Sequence, residues 1–133
     1  MLLALVVAIG ATGYWYVSRL TEGLPPATLS EETYRSINSG QIVGYKEPNG
    51  TLAWRGIPFA TPPVGELRWK APRAPEPWEG VREALAFGSA CPQRGFGGGT
   101  SGITGTEDCL YLNVWQPPRS ETERPVMFWI HGG

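Results

Sequence analysis

The chain has 133 residues, 41% hydrophobic and 17% charged, the composition of a globular protein able to bury a core. A net charge of −1, with Lys and Arg scattered along the chain, provides no basic stripe for a phosphate backbone, so no nucleic-acid partner is expected. Eighteen glycines, 13 prolines and 6 tryptophans argue against a helical bundle and for a loop-rich, strand-containing chain with large aromatic anchors.

Residues 1–17 carry no charged side chain and contain the apolar run Leu2-Leu3-Ala4-Leu5-Val6-Val7-Ala8-Ile9. As a helix the segment would span about 25 Å, against a hydrocarbon core of roughly 30 Å. Small residues at Ala8-Ile9-Gly10 and Ala11-Thr12-Gly13 suit a signal-peptide cleavage site, although a basic n-region is missing. Tyr14-Trp15-Tyr16 followed by Arg19 suits an interfacial belt and an uncleaved anchor. Residues 1–18 are therefore read as a signal peptide or membrane anchor, with a misassigned start as the remaining alternative. The protein is expected outside the cytoplasm, secreted, periplasmic or tethered to a membrane.

Residues 19–38, with Pro25-Pro26 and scattered Thr, Ser and Glu, read as a linker. Within it, residues 28–37 can form a short helix capped by Ser30, with Glu31 and Glu32 in its first turn. Beyond Gly40, residues 41–45 and 51–57 are extended runs flanking Pro48-Asn49-Gly50, which predicts a β-hairpin. Asn49-Gly50-Thr51 is also a glycosylation sequon, relevant in a eukaryotic secretory pathway, and makes Asn49 a modification candidate.

Residues 58–77 hold Pro62-Pro63, Pro72, Pro75 and Pro77, too many prolines for helix or central strand. An irregular coil is expected, pinned to the core by Leu67, Trp69 and Trp78. Residues 81–87 are read as one or two helical turns. Residues 94–106 are rich in glycine but contain no Lys, so a phosphate-binding loop is rejected in favour of a flexible surface loop. Cys91 and Cys109 flank that loop. The export reading of the first residues favours a disulfide between them, and two buried thiols are the alternative. With the single histidine, His131, they fall short of a four-ligand metal site. No metal and no cofactor is called for.

The last third predicts two strands. Residues 109–115 are nearly all apolar and β-favourable, and Pro117-Pro118 ends them. Residues 125–130, Pro-Val-Met-Phe-Trp-Ile, are apolar on both faces, as in a strand inside a sheet covered on both sides. That run leads into His131-Gly132-Gly133. An apolar strand ending in His-Gly-Gly matches the opening of the oxyanion loop of α/β-hydrolase esterases, although any strand can end on glycines. Backbone without side chains can turn sharply there and lay N–H donors about 3 Å from an oxygen that gains negative charge as a nucleophile adds to an ester carbonyl.

The segment before that strand, Glu107-Asp108-Cys109-Leu110-Tyr111-Leu112-Asn113-Val114-Trp115-Gln116-Pro117, closely resembles the cysteine-containing signature of the type-B carboxylesterase family, which includes cholinesterases and many bacterial esterases. Gly56-Ile57-Pro58-Phe59-Ala60, Pro62-Pro63-Val64-Gly65, Leu67-Arg68-Trp69, Pro77-Trp78-Glu79-Gly80 and Ala90-Cys91-Pro92-Gln93 resemble further family segments in family order. The resemblance covers residues 40–133. It implies an α/β class, with residues 39–133 as the β-rich amino-terminal part of an α/β-hydrolase fold: a hairpin plus the first strands of the central sheet, incomplete and stopping in the oxyanion loop.

The resemblance also implies a Cys91–Cys109 disulfide and hydrolysis of small-molecule carboxylic esters by a Ser, His and acid triad. Gly132 and Gly133 match the first two glycines of the family's run, which makes Gly133 the candidate oxyanion donor, Gly132 an enabling turn residue and His131 a positioning residue. The triad residues follow the oxyanion loop in this fold, so His131 is not the general base and the nucleophile, acid and base are absent from the chain. Ser101, in Gly99-Thr100-Ser101-Gly102-Ile103, lacks the last glycine of a nucleophile elbow. Arg68 and Glu107 are expected to form a buried structural ion pair whose loss would destabilise the complete protein. Residues 1–133 alone are expected to be inactive. The alternatives are a non-catalytic adhesion or binding protein on the same scaffold, and a short β-rich binding protein.

Overall fold

A computed structural model describes residues 27–94, 102–118 and 123–131. The expected targeting segment, the first part of the expected linker, the tip of the glycine-rich loop with Ser101, and Gly132 and Gly133 lie outside the described residues. Among the described residues no helix is long and apolar enough to cross a membrane. The elements in chain order are a 3-10 turn at Glu31–Thr33, strands β1 (Arg35–Ile37), β2 (Gly40–Val43), β3 (Tyr45–Lys46) and β4 (Leu52–Pro58), a 3-10 turn at Gly65–Leu67, then β5 (Val81–Glu83), β6 (Gln93–Arg94), β7 (Ile103–Thr104) and β8 (Tyr111–Gln116). They form sheets ordered β1-β2-β5 and β3-β4-β8 and the ribbon β6-β7.

The predicted hairpin forms, with a shorter first arm. Tyr45 faces Ala53 and Lys46 faces Leu52 across an antiparallel β3-β4 pair. The chain turns at Glu47 to Thr51: the Gly50 N–H donates to the Glu47 carbonyl at 2.8 Å and the Thr51 N–H to Asn49 Oδ1 at 2.9 Å. Gly50 takes φ 85°, where glycine carries no side-chain penalty. Residues 41–43 do not belong to this arm. The extended run is split at Gly44, where a Cβ would run into the Ala53 carbonyl, and β2 joins a different sheet.

β4 carries the packing. Leu52, Trp54 and Ile57 join Ile42 and Ala84 in the core, with Ile37, Trp78 and Leu112 packed against it. Burying each large member stabilises the fold by about 1.5–3 kcal/mol. β4 pairs antiparallel with β8, Trp54 opposite Val114 and Ile57 opposite Leu112, so Arg55 and Gly56 face the single residue Asn113 in a β-bulge. Gly56 has φ 67°, and its N–H donates to Asn113 Oδ1 at 2.9 Å.

Four expectations change. The helix over 28–37 is only the 3-10 turn Glu31–Thr33, followed by β1, and Ser30 makes no side-chain cap bond. The fully buried Thr33 accounts for this: its hydroxyl donates to the Ser30 carbonyl at 2.5 Å and accepts the Gly44 N–H at 2.8 Å, tying the segment to the sheets. From Leu29, which bridges Tyr45, the stretch read as linker is part of the fold.

Residues 81–83 are strand rather than helical turn. They add parallel to β2, and the Ala84 N–H donates to the Val43 carbonyl while the Ala84 carbonyl accepts the Arg55 N–H. Residues 125–130 form no ladder and are not covered: Val126 to Ile130 are 78–95% exposed. A strand apolar on both faces needs neighbours on both sides, and the described residues supply none.

Candidate functional site

Short ribbon, disulfide and coil converge on one corner of the molecule. β6 and β7 pair two by two, Gln93 with Thr104 and Arg94 with Ile103. Below them Cys91 and Cys109 are joined by a disulfide, their Cα atoms 5.0 Å apart. The pairing excludes the alternative of two free thiols. Gly105, at φ 91°, lets the backbone pass against the Ala90 and Cys91 carbonyls, 2.5 Å from where a Cβ would stand. The Thr106 N–H then donates to the Ala90 carbonyl at 2.9 Å. The result is a closed loop that delivers Glu107 and Asp108 in fixed positions.

Arg68 Nη2 lies 2.6 Å from Glu107 Oε1, and this contact holds the guanidinium in its charged form. The sequence reading puts the pair in the interior. In the structure its side chains are 58% and 40% exposed, because no described residue covers them. An exposed pair contributes little to stability, and the strong destabilisation expected of its loss belongs to the complete protein. Asp108 Oδ1 accepts the Tyr111 hydroxyl at 2.8 Å, a bond that raises the tyrosine pKa above its ordinary value, with burial adding to it.

Arg68, Trp69, Pro63, Pro92, Glu107 and Cys109 line a cavity of about 420 Å³. The expected anchors part company here. Trp78 is half-buried on the core and its indole N–H donates to the Gln41 carbonyl at 2.8 Å, whereas Trp69 is fully exposed. Trp69 also has φ 60°, unlike any other non-glycine residue described. Arg68 (φ −58°, ψ 136°) and Trp69 are the central residues of a turn closed by the Lys70 N–H on the Leu67 carbonyl at 3.2 Å. That is a type II turn with Trp where glycine is preferred, a placement that costs an L side chain about 1–2 kcal/mol. No composition signal marks it.

A second cavity, of about 350 Å³, is lined by Arg55, Gly56, Arg82, Phe87, Ser89 and Tyr111 among others. The Arg55 guanidinium lies between Tyr45 and Phe87, 4.8 and 4.5 Å from the ring centres, with Glu47 Oε1 at 3.4 Å. Sequence reasoning misses this stack because its partners come from separate segments. Asn49 is exposed at the hairpin tip. His131 is exposed at the end of the extended apolar run, and it does not line the cavity beside the disulfide. The expected oxyanion donor Gly133 and its neighbour Gly132 lie outside the described residues. Among those that are described, no group of His, Cys, Asp and Glu side chains could hold a metal ion.

The model of the carboxylesterase family matches residues 31–133. The chain belongs to the carboxylesterase family. It is 48% identical over 103 residues to the para-nitrobenzyl esterase of Bacillus subtilis (strain 168), covering 71% of this chain and 20% of that protein. It is 39% identical over 117 residues to carboxylesterase 4A of Bos taurus, covering 79% and 21%. Among solved structures, a para-nitrobenzyl esterase superposes with a TM-score of 0.67 at 42% identity over 76% of this chain and 21% of that one. A carboxylesterase of Geobacillus stearothermophilus gives 0.62 at 42% identity, over 76% and 20%.

This carboxylesterase-family chain is thus the strand-rich amino-terminal part of an α/β-hydrolase fold, and it spans about one fifth of the length of the relatives it matches. The adhesion alternative draws no support from these matches, whose printed names are those of esterases and hydrolases.

Proposed function

We propose that residues 39–133 serve as the amino-terminal scaffold of a serine carboxylesterase that hydrolyses small-molecule carboxylic esters. The single observation that carries this reading is that the family match runs through the apolar segment ending in His131-Gly132-Gly133. In this reading the Gly133 N–H donates to the carbonyl oxygen as it becomes an oxyanion, Gly132 permits the turn, and His131 positions the loop. One such donor stabilises the transition state by roughly 3–4 kcal/mol. The Ser, acid and His of the triad follow the oxyanion loop in chain order, so residues 1–133 bind no reaction intermediate covalently and turn nothing over by themselves.

The test uses an activated aryl ester. Purified 1–133 is expected to show neither burst nor turnover, and a polypeptide that continues the chain through a Gly-x-Ser-x-Gly segment is expected to hydrolyse it, with kcat cut about 100-fold or more by Gly133→Pro. Saturable hydrolysis by 1–133 that survives both His131→Ala and Gly133→Pro would overturn the reading.

Residues 1–18 serve, on the same proposal, as an export signal or membrane anchor, and the protein works in an oxidising compartment. The disulfide supports this, since such bonds persist where thiols are not kept reduced. Amino-terminal sequencing of protein from the membrane and soluble fractions of an expressing cell separates cleaved signal from anchor. Asn49 is proposed as a glycan acceptor where the host glycosylates exported sequons, supported by its exposure at a hairpin tip.

A further inference from the structure

We propose that Asn49 is a self-modification site: its side-chain amide is lost by attack of the Gly50 backbone nitrogen, and the folded hairpin turn restrains that reaction, so that the site converts when the turn opens. The reaction is separate from ester hydrolysis and needs no residue of the oxyanion loop. Gly50 follows Asn49 directly, and without a Cβ it presents its nitrogen to the neighbouring side chain with no steric shield. Asn49 Oδ1 accepts the Thr51 N–H at 2.9 Å, which draws electron density from Cγ and makes that carbon the better electrophile.

The turn withholds the nucleophile. Glu47, Pro48, Asn49 and Gly50 form a turn closed by the Gly50 N–H on the Glu47 carbonyl at 2.8 Å, so the nitrogen that would attack keeps its proton and shares it with Glu47. Pro48 stands at the second position of this turn, where its fixed φ favours the closed form. The Glu47 N–H donates to the Thr51 carbonyl at 2.8 Å, Lys46 pairs with Leu52, and Leu52 is buried. Freeing Gly50 therefore means opening the end of a ladder anchored in the core. All of these bonds lie within the hairpin and require no other part of the polypeptide.

In the open turn the Gly50 nitrogen loses its proton to hydroxide, and its electron pair forms a bond to Asn49 Cγ. The bond from Cγ to Nδ2 breaks, and Nδ2 leaves as ammonia with a proton from water, which restores the hydroxide. A succinimide ring now joins the two residues. Water opens it at either carbonyl, giving aspartate or isoaspartate at position 49; one water is consumed, one ammonia is released and no electrons are exchanged. Nδ2 is also the atom a glycan would occupy, so the two modifications exclude each other, and conversion ends the Asn49-Gly50-Thr51 sequon. An aspartate oxygen can still accept the Thr51 N–H. Isoaspartate adds a carbon to the main chain and breaks the turn.

The experiment incubates the full chain at mildly alkaline pH and counts aspartate and isoaspartate at position 49 by peptide mapping. Conversion in buffer is expected to be slower than in denaturing urea by about tenfold or more. Pro48→Gly is expected to speed conversion in buffer and leave it unchanged in urea, because a looser turn frees Gly50 without altering the chemistry. In the unsubstituted chain, urea below the unfolding transition is expected to raise hydrogen exchange at the Gly50 amide and conversion of Asn49 in parallel. Equal rates in buffer and denaturing urea overturn the proposal, as does a folded Pro48→Gly chain that converts no faster than the unsubstituted one. Where Pro48→Gly does not fold, the low-urea series decides: conversion that stays flat while Gly50 exchange rises also overturns it.

Discussion

Thr33 does more for this fold than its size suggests. It is the buried polar side chain among the described residues, its carbonyl accepts the Trp54 indole N–H at 2.7 Å, and its hydroxyl joins Ser30 to Gly44. Thr33→Val keeps the volume but leaves the buried Gly44 N–H without an acceptor, and a loss of about 1–3 kcal/mol is expected from chemical denaturation. Two tyrosines link stability to alkaline pH. Burial raises the Tyr45 pKa, opposed by Arg55, and the bond to Asp108 raises that of Tyr111. A folded-state value above the unfolded 10.0 means that the folded chain holds the proton more tightly. The contribution is fully present below pH 10 and lost as pH rises through the raised values. Tyr111→Phe is expected to lower the neutral-pH Tm slightly and flatten its alkaline fall, as read from melting curves across that range.

At the scale of elements, the β4 bulge decides more than strand propensity does. Gly56 needs a positive φ, and a Cβ there would stand 2.6 Å from the Ala86 carbonyl and 3.1 Å from the Gly88 nitrogen. Gly56→Ala is therefore expected to cost about 1–3 kcal/mol, measurable as a lowered urea midpoint with an unchanged slope. The hairpin at Asn49-Gly50 and strand β8 were legible because turn chemistry and an apolar run are local signals. The strand at Val81–Glu83 was not, because seven residues carry no decisive period and the bonds that make them strand come from Val43 and Arg55. The same applies to residues 28–37: a cap residue followed by acids suits a helix, and a buried hydroxyl reaching Gly44 stops it after one turn.

For the whole molecule, the disulfide and the apolar run pull in opposite directions. Closing the 18-residue separation from Cys91 to Cys109 contributes on the order of 3 kcal/mol in the chain-entropy picture, so a reductant is expected to lower the urea midpoint of the full chain. Val126 to Ile130 instead place five large apolar side chains in water. Phe128→Lys with Trp129→Glu is expected to raise solubility and reduce binding of a hydrophobic dye, with little change in midpoint, since neither ring is packed; a large fall in midpoint would contradict the exposed state.

Composition and turn chemistry were enough for a β-rich chain and its hairpin, and the export reading favoured a disulfide; the family came from ordered segments that resemble carboxylesterases, and the pairing of Arg68 with Glu107 came only as what that resemblance implies. Residue type and local turn signals are stated directly by a sequence, whereas a contact between Arg68 and Glu107 is not. Tertiary structure alone decided which sheet each short strand joins, that Thr33 is core rather than linker, and that Trp69 takes a positive φ in a turn built for glycine. Each of these turns on which distant groups are within bonding distance. A local stretch of three to ten residues cannot encode that, because its competing conformations differ by less free energy than one contact across the fold supplies.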